Sequence, residues 1–287
     1  MPGAVLPVTA MLLVQLGVAA STPMFDVLGP TGTGWLRLCW AAVILLVLVR
    51  PRIRSIAPAS LAAAGVLGAM TAGMTLMFML AVDRIPMGTA SALEFLGPLG
   101  VAVVRGRGRS RLLWPPAAAA GVVALTEPWT GDVDAIGIAF ALGAACMWAG
   151  YIVLTQHVGD RIDGLGGLAI SFTSAAIVAT IVVGPAAYDR VTPGAVVICL
   201  GLAILLPVLP LSIELIALRR ITASAFGTMM SIEPAIALLI GVIVLGQGAE
   251  PLQLAGLLLV VFAGVGAERG GRRPKGDDPL AESNVAQ

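Results

Sequence analysis

Long apolar runs alternate with short polar connections along nearly the whole chain. A run of about 20 apolar residues is long enough to cross the hydrocarbon core of a bilayer as a helix. The pattern therefore predicts an all-α membrane protein with ten transmembrane helices, which we number spans 1 to 10. The predicted spans are 5–22, 31–49, 58–82, 86–104, 111–127, 135–155, 164–187, 193–218, 222–245 and 251–267.

Two of these spans carry the same four residues, Thr-Ala-Ser-Ala, near their starts, at 89–92 in span 4 and at 222–225 in span 9. The second copy comes five spans after the first, and an odd number of spans per repeat reverses the orientation of the second copy in the membrane. The spacing predicts two inverted five-helix repeats, 1–127 and 128–267. The alternative is that the tetrad recurs by chance in an Ala-rich chain. Against this, each copy is followed in its span by one glutamate and one proline, and the two spans hold the same position in their repeats.

The basic residues indicate how the spans are oriented. Fourteen of the 17 Lys and Arg residues follow even-numbered spans or lie in the tail. Because such residues concentrate in cytoplasmic loops, we expect this side, with both termini, to be cytoplasmic. The polar tail 268–287 has little to bury and is predicted to be disordered.

Composition supports a membrane protein and excludes several other classes. The chain is 58% hydrophobic and 11% charged, whereas ordinary soluble domains are roughly 25% charged. A net charge of +1 gives no reason to expect a nucleic-acid partner. Scattered cysteines and the absence of a phosphate-binding loop or a His-Glu-x-x-His motif indicate no metal, no cofactor and no enzymatic activity. The expected partners are a small-molecule substrate, a proton and the lipid bilayer.

Arg37 in span 2 and Glu94 in span 4 are charged residues within apolar helices. At 1.5 Å per residue they lie about 9 Å and about 12 Å below the outer surface, so the two can meet. They would then hold a zwitterionic ligand, or Glu94 would exchange a proton next to Arg37. A structural ion pair that fixes the register of the two helices is the alternative.

Each acidic residue of the repeated pattern is accompanied by a proline, Glu94 by Pro98 and Glu233 by Pro234. A proline within a helix leaves the carbonyl four residues earlier without a donor. We therefore predict helix breaks that leave free acceptors beside the two carboxylates, as in transporter sites. A kink used only for packing is the other interpretation.

Glu233 lies about eleven residues into span 9, with no arginine placed to pair with it. This position makes Glu233 the first choice for a residue that binds and releases a proton. Glu214 lies close to Arg219 and Arg220, which favours an interfacial structural role, although the irregular helix around it leaves a contribution to a gate open.

Three further residues are candidates for the wall of a central cavity. Trp148 and Tyr151 lie near the middle of span 6, where they would either line the cavity or pack against neighbouring helices. Gln15 in span 1 is a weaker candidate.

In three stretches that contain most of these candidates, the sequence resembles the drug/metabolite transporter superfamily, in its EamA-type branch, and most closely the threonine/homoserine exporters. The similar stretches are 15–37, 92–98 and 209–241. The resemblance implies proton-driven efflux of small amino acids or related metabolites across a bacterial inner membrane, with Arg37, Glu94, Glu214 and Glu233 as residues of interest. Gln247 departs from the family pattern, which has Leu-Gly-Glu there, and Leu211 stands where an aromatic residue is usual.

The predicted function is thus a secondary transporter that exports small amino acids or related metabolites. An importer of the same fold and a membrane receptor without transport are the alternatives, and flux in proteoliposomes would separate them. The sequence leaves open whether the protein is a monomer or a homodimer.

Overall fold

The computed structural model describes residues 2–51, 56–105, 113–127, 134–159, 165–218 and 229–270. Within these ranges all regular structure is helical, which confirms the predicted all-α class for this part of the chain. Its α-helices, α1 to α12 in chain order, are Pro2–Ser21, Phe25–Val49, Pro58–Val82, Met87–Glu94, Leu96–Arg105, Trp114–Thr126, Ala135–Gly159, Gly166–Ala187, Pro193–Ala203, Leu209–Leu218, Glu233–Leu245 and Pro251–Gly270.

Six helical stretches of the described chain are long and apolar enough to cross a membrane, judged by length and composition. They establish a multi-pass membrane protein. The six stretches are Val5–Val49, Pro58–Val82, Met87–Arg105, Ala135–Thr155, Gly166–Arg190 and Pro193–Glu214, and Trp114–Thr126, Glu233–Leu245 and Pro251–Ala267 are shorter apolar helices. The count of ten spans stays a prediction, as do the repeat boundaries, and the second Thr-Ala-Ser-Ala tetrad lies outside the described residues.

The stretch Val5–Val49 contains two of the predicted spans. At 45 residues it is about twice the length that one crossing needs. A 3₁₀ turn at Thr22–Met24 divides it, and Gly29 follows with a φ of 75°. This left-handed conformation suits glycine because glycine has no Cβ. The chain can therefore change direction between α1 and the main part of α2.

The helix predicted over 193–218 is irregular in its middle. Between α9 and α10 the residues Ile204–Val208 form a π-helical turn in which Leu206 has an extended backbone, with φ −152° and ψ 114°. Pro207 lies within this turn and Pro210 just after it. Because proline cannot donate a backbone hydrogen bond, the two prolines account for the interruption.

Small residues let several helices approach closely. A Cβ added to Gly121 in α6 would lie 2.7 Å from the carbonyl oxygen of Gly256 in α12, and one added to Gly256 would lie 2.6 Å from the carbonyl oxygen of Gly121. The two backbones are thus in direct contact, which is the usual way for helices to pack in lipid.

α4 and α11 pack against each other with opposite chain directions. A Cβ on Gly88, near the start of α4, would lie 2.8 Å from the Cβ of Leu238 in α11. At the other end of α4, the charge of Glu94 interacts with that of Glu233, the first residue of α11. Residues of α1, α3, α4, α7 and α11 share one apolar core cluster, which surrounds this contact.

The end of α12 differs slightly from the predicted boundary of the last span. The helix continues to Gly270, three residues beyond the predicted end at 267. The rest of the predicted tail, 271–287, lies outside the described residues, so its disorder stays a prediction.

Candidate functional site

Three charged side chains of the described residues are buried among the helices. The exposed fractions of Arg37, Glu94 and Glu233 are 5%, 9% and 8%. A buried charge is costly unless it is paired, yet none of the three has an ion-pair partner within the described ranges. Unpaired buried charges that persist in membrane helices usually mark a site of function.

Arg37 contacts neutral groups. Its Nη1 donates a hydrogen bond to Ser21 Oγ at 2.9 Å and lies 3.6 Å from Met79 Sδ. Its Nε is buried without a partner. A pairing with Glu94 is therefore absent from the described structure. The position has a physical reason, since Ser21 is the last residue of α1 and a helix C-terminus attracts a cation.

Glu233 has a partner that sequence reasoning did not foresee. Gln15 Nε2 donates a hydrogen bond to Glu233 Oε1 at 3.1 Å, and this bond links α1 to α11. The side chain of Gln15 is 2% exposed. Gln15, expected to be a minor residue of the cavity wall, is thus in direct contact with a candidate coupling residue.

Glu94 lies at a short interruption between two helices. It is the last residue of α4, Phe95 follows in a turn, and α5 begins at Leu96. The interruption comes three residues before Pro98, whose ring nitrogen cannot bond to the carbonyl of Glu94.

The backbone around Glu233 corrects the continuous helix predicted over 222–245. Residues 231–232 form a turn, and Glu233 begins α11 instead of lying inside a longer helix. Pro234 then falls in the first helical turn, where its missing N–H is not needed. A carboxylate in this turn also interacts favourably with the helix dipole.

The acidic residues are close enough to interact. The charge of Glu233 acts on Glu94, and the charge of Glu214 in α10 acts on both Glu233 and Tyr151. The interfacial role expected for Glu214 involved Arg219 and Arg220, which lie outside the described residues. That role therefore stays a prediction, and the described structure adds an electrostatic interaction between Glu214 and Glu233.

The aromatic candidates border these acidic residues on α7. Trp148 packs edge-on against Phe95, with ring centroids 6.4 Å apart and an interplanar angle of 74°. Tyr151 packs against the small apolar cluster of Ala64 and Leu67. Trp148 therefore contacts the residue at which the α4 and α5 helices separate, whereas Tyr151 reaches the site through its interaction with Glu214.

Comparisons with known proteins identify the family. Residues 135–266 match the EamA-like transporter family. Over 267 residues the chain is 34% identical to the threonine/homoserine exporter RhtA of Escherichia coli K12, covering 92% of this chain and 90% of that protein. The chain belongs to the EamA-like transporter family. A threonine/homoserine exporter RhtA of Salmonella typhimurium LT2 is 33% identical over 262 residues, covering 90% and 88% of the two chains.

A solved crystal structure supports the fold of this EamA-like transporter. It covers 95% of this chain and 99% of its own chain, with a TM-score of 0.59 at 14% identity. The family assignment confirms that the chain is a membrane transporter and not an enzyme.

Gln247, where the EamA-like transporter departs from the expected acid, has a defined structural role. Gly246 ends α11 with a φ of 65°, and Gln247 Oε1 then accepts a hydrogen bond from the backbone N–H of Met87 at 3.0 Å. The side chain thus caps the start of α4. A glutamate would offer the same acceptor, so the departure preserves the contact.

Sequence reasoning missed Ser21, Phe95 and the contact of Gln247. Ser21 carried a local signal, because a serine that ends an apolar helix can bond to its own backbone and still accept from a buried donor. Its Oγ does both, since it donates to the Gly17 carbonyl at 2.6 Å and accepts from Arg37. Phe95 and Gln247 carried no comparable signal, because their contacts depend on tertiary packing.

Proposed function

We propose that this EamA-like transporter exports small amino acids similar to threonine and homoserine, or related metabolites, across the bacterial inner membrane. The observation that carries the proposal is 34% identity, over nearly the whole length of both chains, to a protein named as a threonine/homoserine exporter. Buried charges of both signs support it, because an amino acid presents one carboxylate and one ammonium group.

In this proposal the chain crosses the membrane ten times, as two inverted halves, 1–127 and 128–267, with both termini in the cytoplasm. The distribution of Lys and Arg supports the orientation. The opposite chain directions of α4 and α11, which carry Glu94 and Glu233, are consistent with inverted repeats.

Transport is driven by proton antiport through the buried acidic residues. Arg37 faces the carboxylate of the substrate, and Glu94 and Glu233 share the tasks of binding its ammonium group and carrying the proton. Two neighbouring buried carboxylates repel each other, so a proton on one of them relieves the repulsion. The remaining proposed residues line the site or interrupt its helices: Gln15, Trp148, Tyr151, Glu214, Pro98 and Pro234.

The test is flux in proteoliposomes that hold the purified protein, with radiolabelled threonine and homoserine and an imposed pH gradient. We expect the gradient to drive uphill movement of at least one of the two amino acids. Glu94→Gln and Glu233→Gln are each expected to abolish or uncouple this movement while the protein still folds and inserts. Glu250→Gln is the matched control, because Glu250 is exposed in the connection between α11 and α12.

Two results would count against the proposal. Full gradient-driven transport by both acidic variants would remove Glu94 and Glu233 from the mechanism. Absence of flux for wild-type protein under either direction of the gradient would contradict amino-acid export itself.

A further inference from the structure

Two buried oxygen atoms at the contact between α1 and α11 have no hydrogen-bond donor. They are Gln15 Oε1 and Glu233 Oε2, the atoms that the hydrogen bond between Gln15 Nε2 and Glu233 Oε1 leaves free. An ionised carboxylate only accepts hydrogen bonds. When Glu233 is ionised, the amide nitrogen of Gln15 therefore faces it, and the amide oxygen is left to accept from another donor.

The surroundings of these two oxygens are acidic. The charge of Glu233 acts on Glu94, and no cation of the described chain is paired with either residue. A buried acceptor without a donor is unfavourable, so the two free oxygens, with the acidic Glu94 in the same surroundings, call for a cation with several donors. A primary ammonium group carries three N–H donors, one for each of Gln15, Glu233 and Glu94.

We propose that Gln15 Oε1 and Glu233 Oε2, with Glu94 as the third acceptor, form the binding site for the ammonium group of the exported amino acid. This inference rests on the proposed export of amino acids and assigns the ammonium to Glu233, which leaves the proton to Glu94. Gln15 is then a specificity-determining residue, because its oxygen accepts from an ammonium group more strongly than from a hydroxyl group.

A purely structural role for Gln15 makes a different prediction. A glutamine that only holds α1 against α11 affects every substrate equally, whereas an acceptor for the ammonium affects only substrates that carry that group. Two competitors separate these roles: threonine, and the analogue of threonine that has a hydroxyl in place of the ammonium group.

The experiment measures the inhibition constants of both competitors against labelled threonine in proteoliposomes, for wild type, Gln15→Leu and Gln15→Glu. We expect wild type to prefer threonine. In Gln15→Leu the inhibition constant of threonine rises about tenfold, the loss of one hydrogen bond to a charged group, and that of the hydroxyl analogue changes less than about twofold on the same scale. Glu250→Gln, at an exposed position just before α12, is the control and should match wild type.

Gln15→Glu keeps the test decisive if the leucine variant fails to insert. Glutamate retains an acceptor for the ammonium but has no donor for Glu233, so the proposal expects the preference for threonine to persist. A purely structural role expects transport of both compounds to fail in this variant.

Three outcomes overturn the proposal in distinguishable ways. Equal weakening of both competitors in Gln15→Leu assigns Gln15 to structure. A requirement for sodium ions in wild type, with preference unchanged in the variants, assigns the two oxygens to a metal cation. Absence of both threonine and homoserine flux in wild type refutes the proposed function, a result that the Gln15 variants do not affect.

Discussion

Replacement of Arg37 by methionine should stabilise the protein and abolish transport. Methionine has a similar length and no charge, so the change removes a buried cation that no acid of the described chain neutralises. Residues kept at a cost to stability are typical of functional sites. A structural arginine would behave in the opposite way, because its loss would weaken the packing between α1, α2 and α3.

The magnitude follows from the contacts of Arg37. The variant loses the hydrogen bond to Ser21, worth about 1.5–3 kcal/mol because the guanidinium is charged. It also removes the unpartnered Nε, whose burial costs about 1–3 kcal/mol, together with the desolvation penalty of the charge. Ser21 keeps its bond to the Gly17 carbonyl. We expect a net gain of about 1–3 kcal/mol, equivalent to a rise of a few degrees in the thermal midpoint.

The assay combines thermal unfolding in detergent micelles with threonine flux in proteoliposomes. Arg190→Met is the matched control, because Arg190 is exposed in a 3₁₀ turn and its loss should change neither quantity appreciably. A fall of several degrees in the thermal midpoint of Arg37→Met, or full transport by this variant, would refute the reasoning.

Two further predictions concern packing and pH. Gly121→Ala should destabilise the protein by about 1–3 kcal/mol and so lower its thermal midpoint, because the new Cβ would lie 2.7 Å from the Gly256 carbonyl oxygen. Gly100→Ala is the control and should leave the midpoint unchanged, because a Cβ there has nothing within 4 Å. The Asp134 carboxylate accepts a hydrogen bond from the Gly137 N–H. Chiefly because of this bond, the pKa of Asp134 is below the ordinary 3.8. The stability that the ionised carboxylate adds to the folded protein is therefore present above pH 3.8. The stability difference between wild type and Asp134→Ala should therefore shrink as the pH falls through the lowered pKa, and a difference unchanged by acidification would contradict it.

The hydropathy pattern and the quoted motifs were sufficient for the helical class and the transporter family. Both depend on local information, since apolar length predicts a membrane helix and the family resemblance is carried by short stretches. The same local information misplaced Glu233 within a long helix, because hydropathy does not detect a turn between two apolar segments. In the structure, residues 231–232 form that turn.

Side-chain partners depend on tertiary packing, and here sequence reasoning was less successful. The similar depths of Arg37 and Glu94 allow the two to meet, but depth does not specify the direction in which a side chain points. Arg37 points toward the end of α1. Gln15 and Glu233 are 218 residues apart, and no pattern in a single sequence joins them.

The hydrogen bond between Gln247 and Met87 has a mechanical consequence for the acidic site. It fixes the first residue of α4 to the end of α11, and Glu94 lies at the opposite end of α4. Glu94 lies about 10 Å along α4 from this bond. A tilt of α4 by about 10° about the bond would therefore displace Glu94 by about 2 Å. A hydrogen bond is lost when its donor–acceptor distance grows by more than a few tenths of an ångström. A small tilt of α4 is therefore enough to make or break the contact between Glu94 and a bound cation.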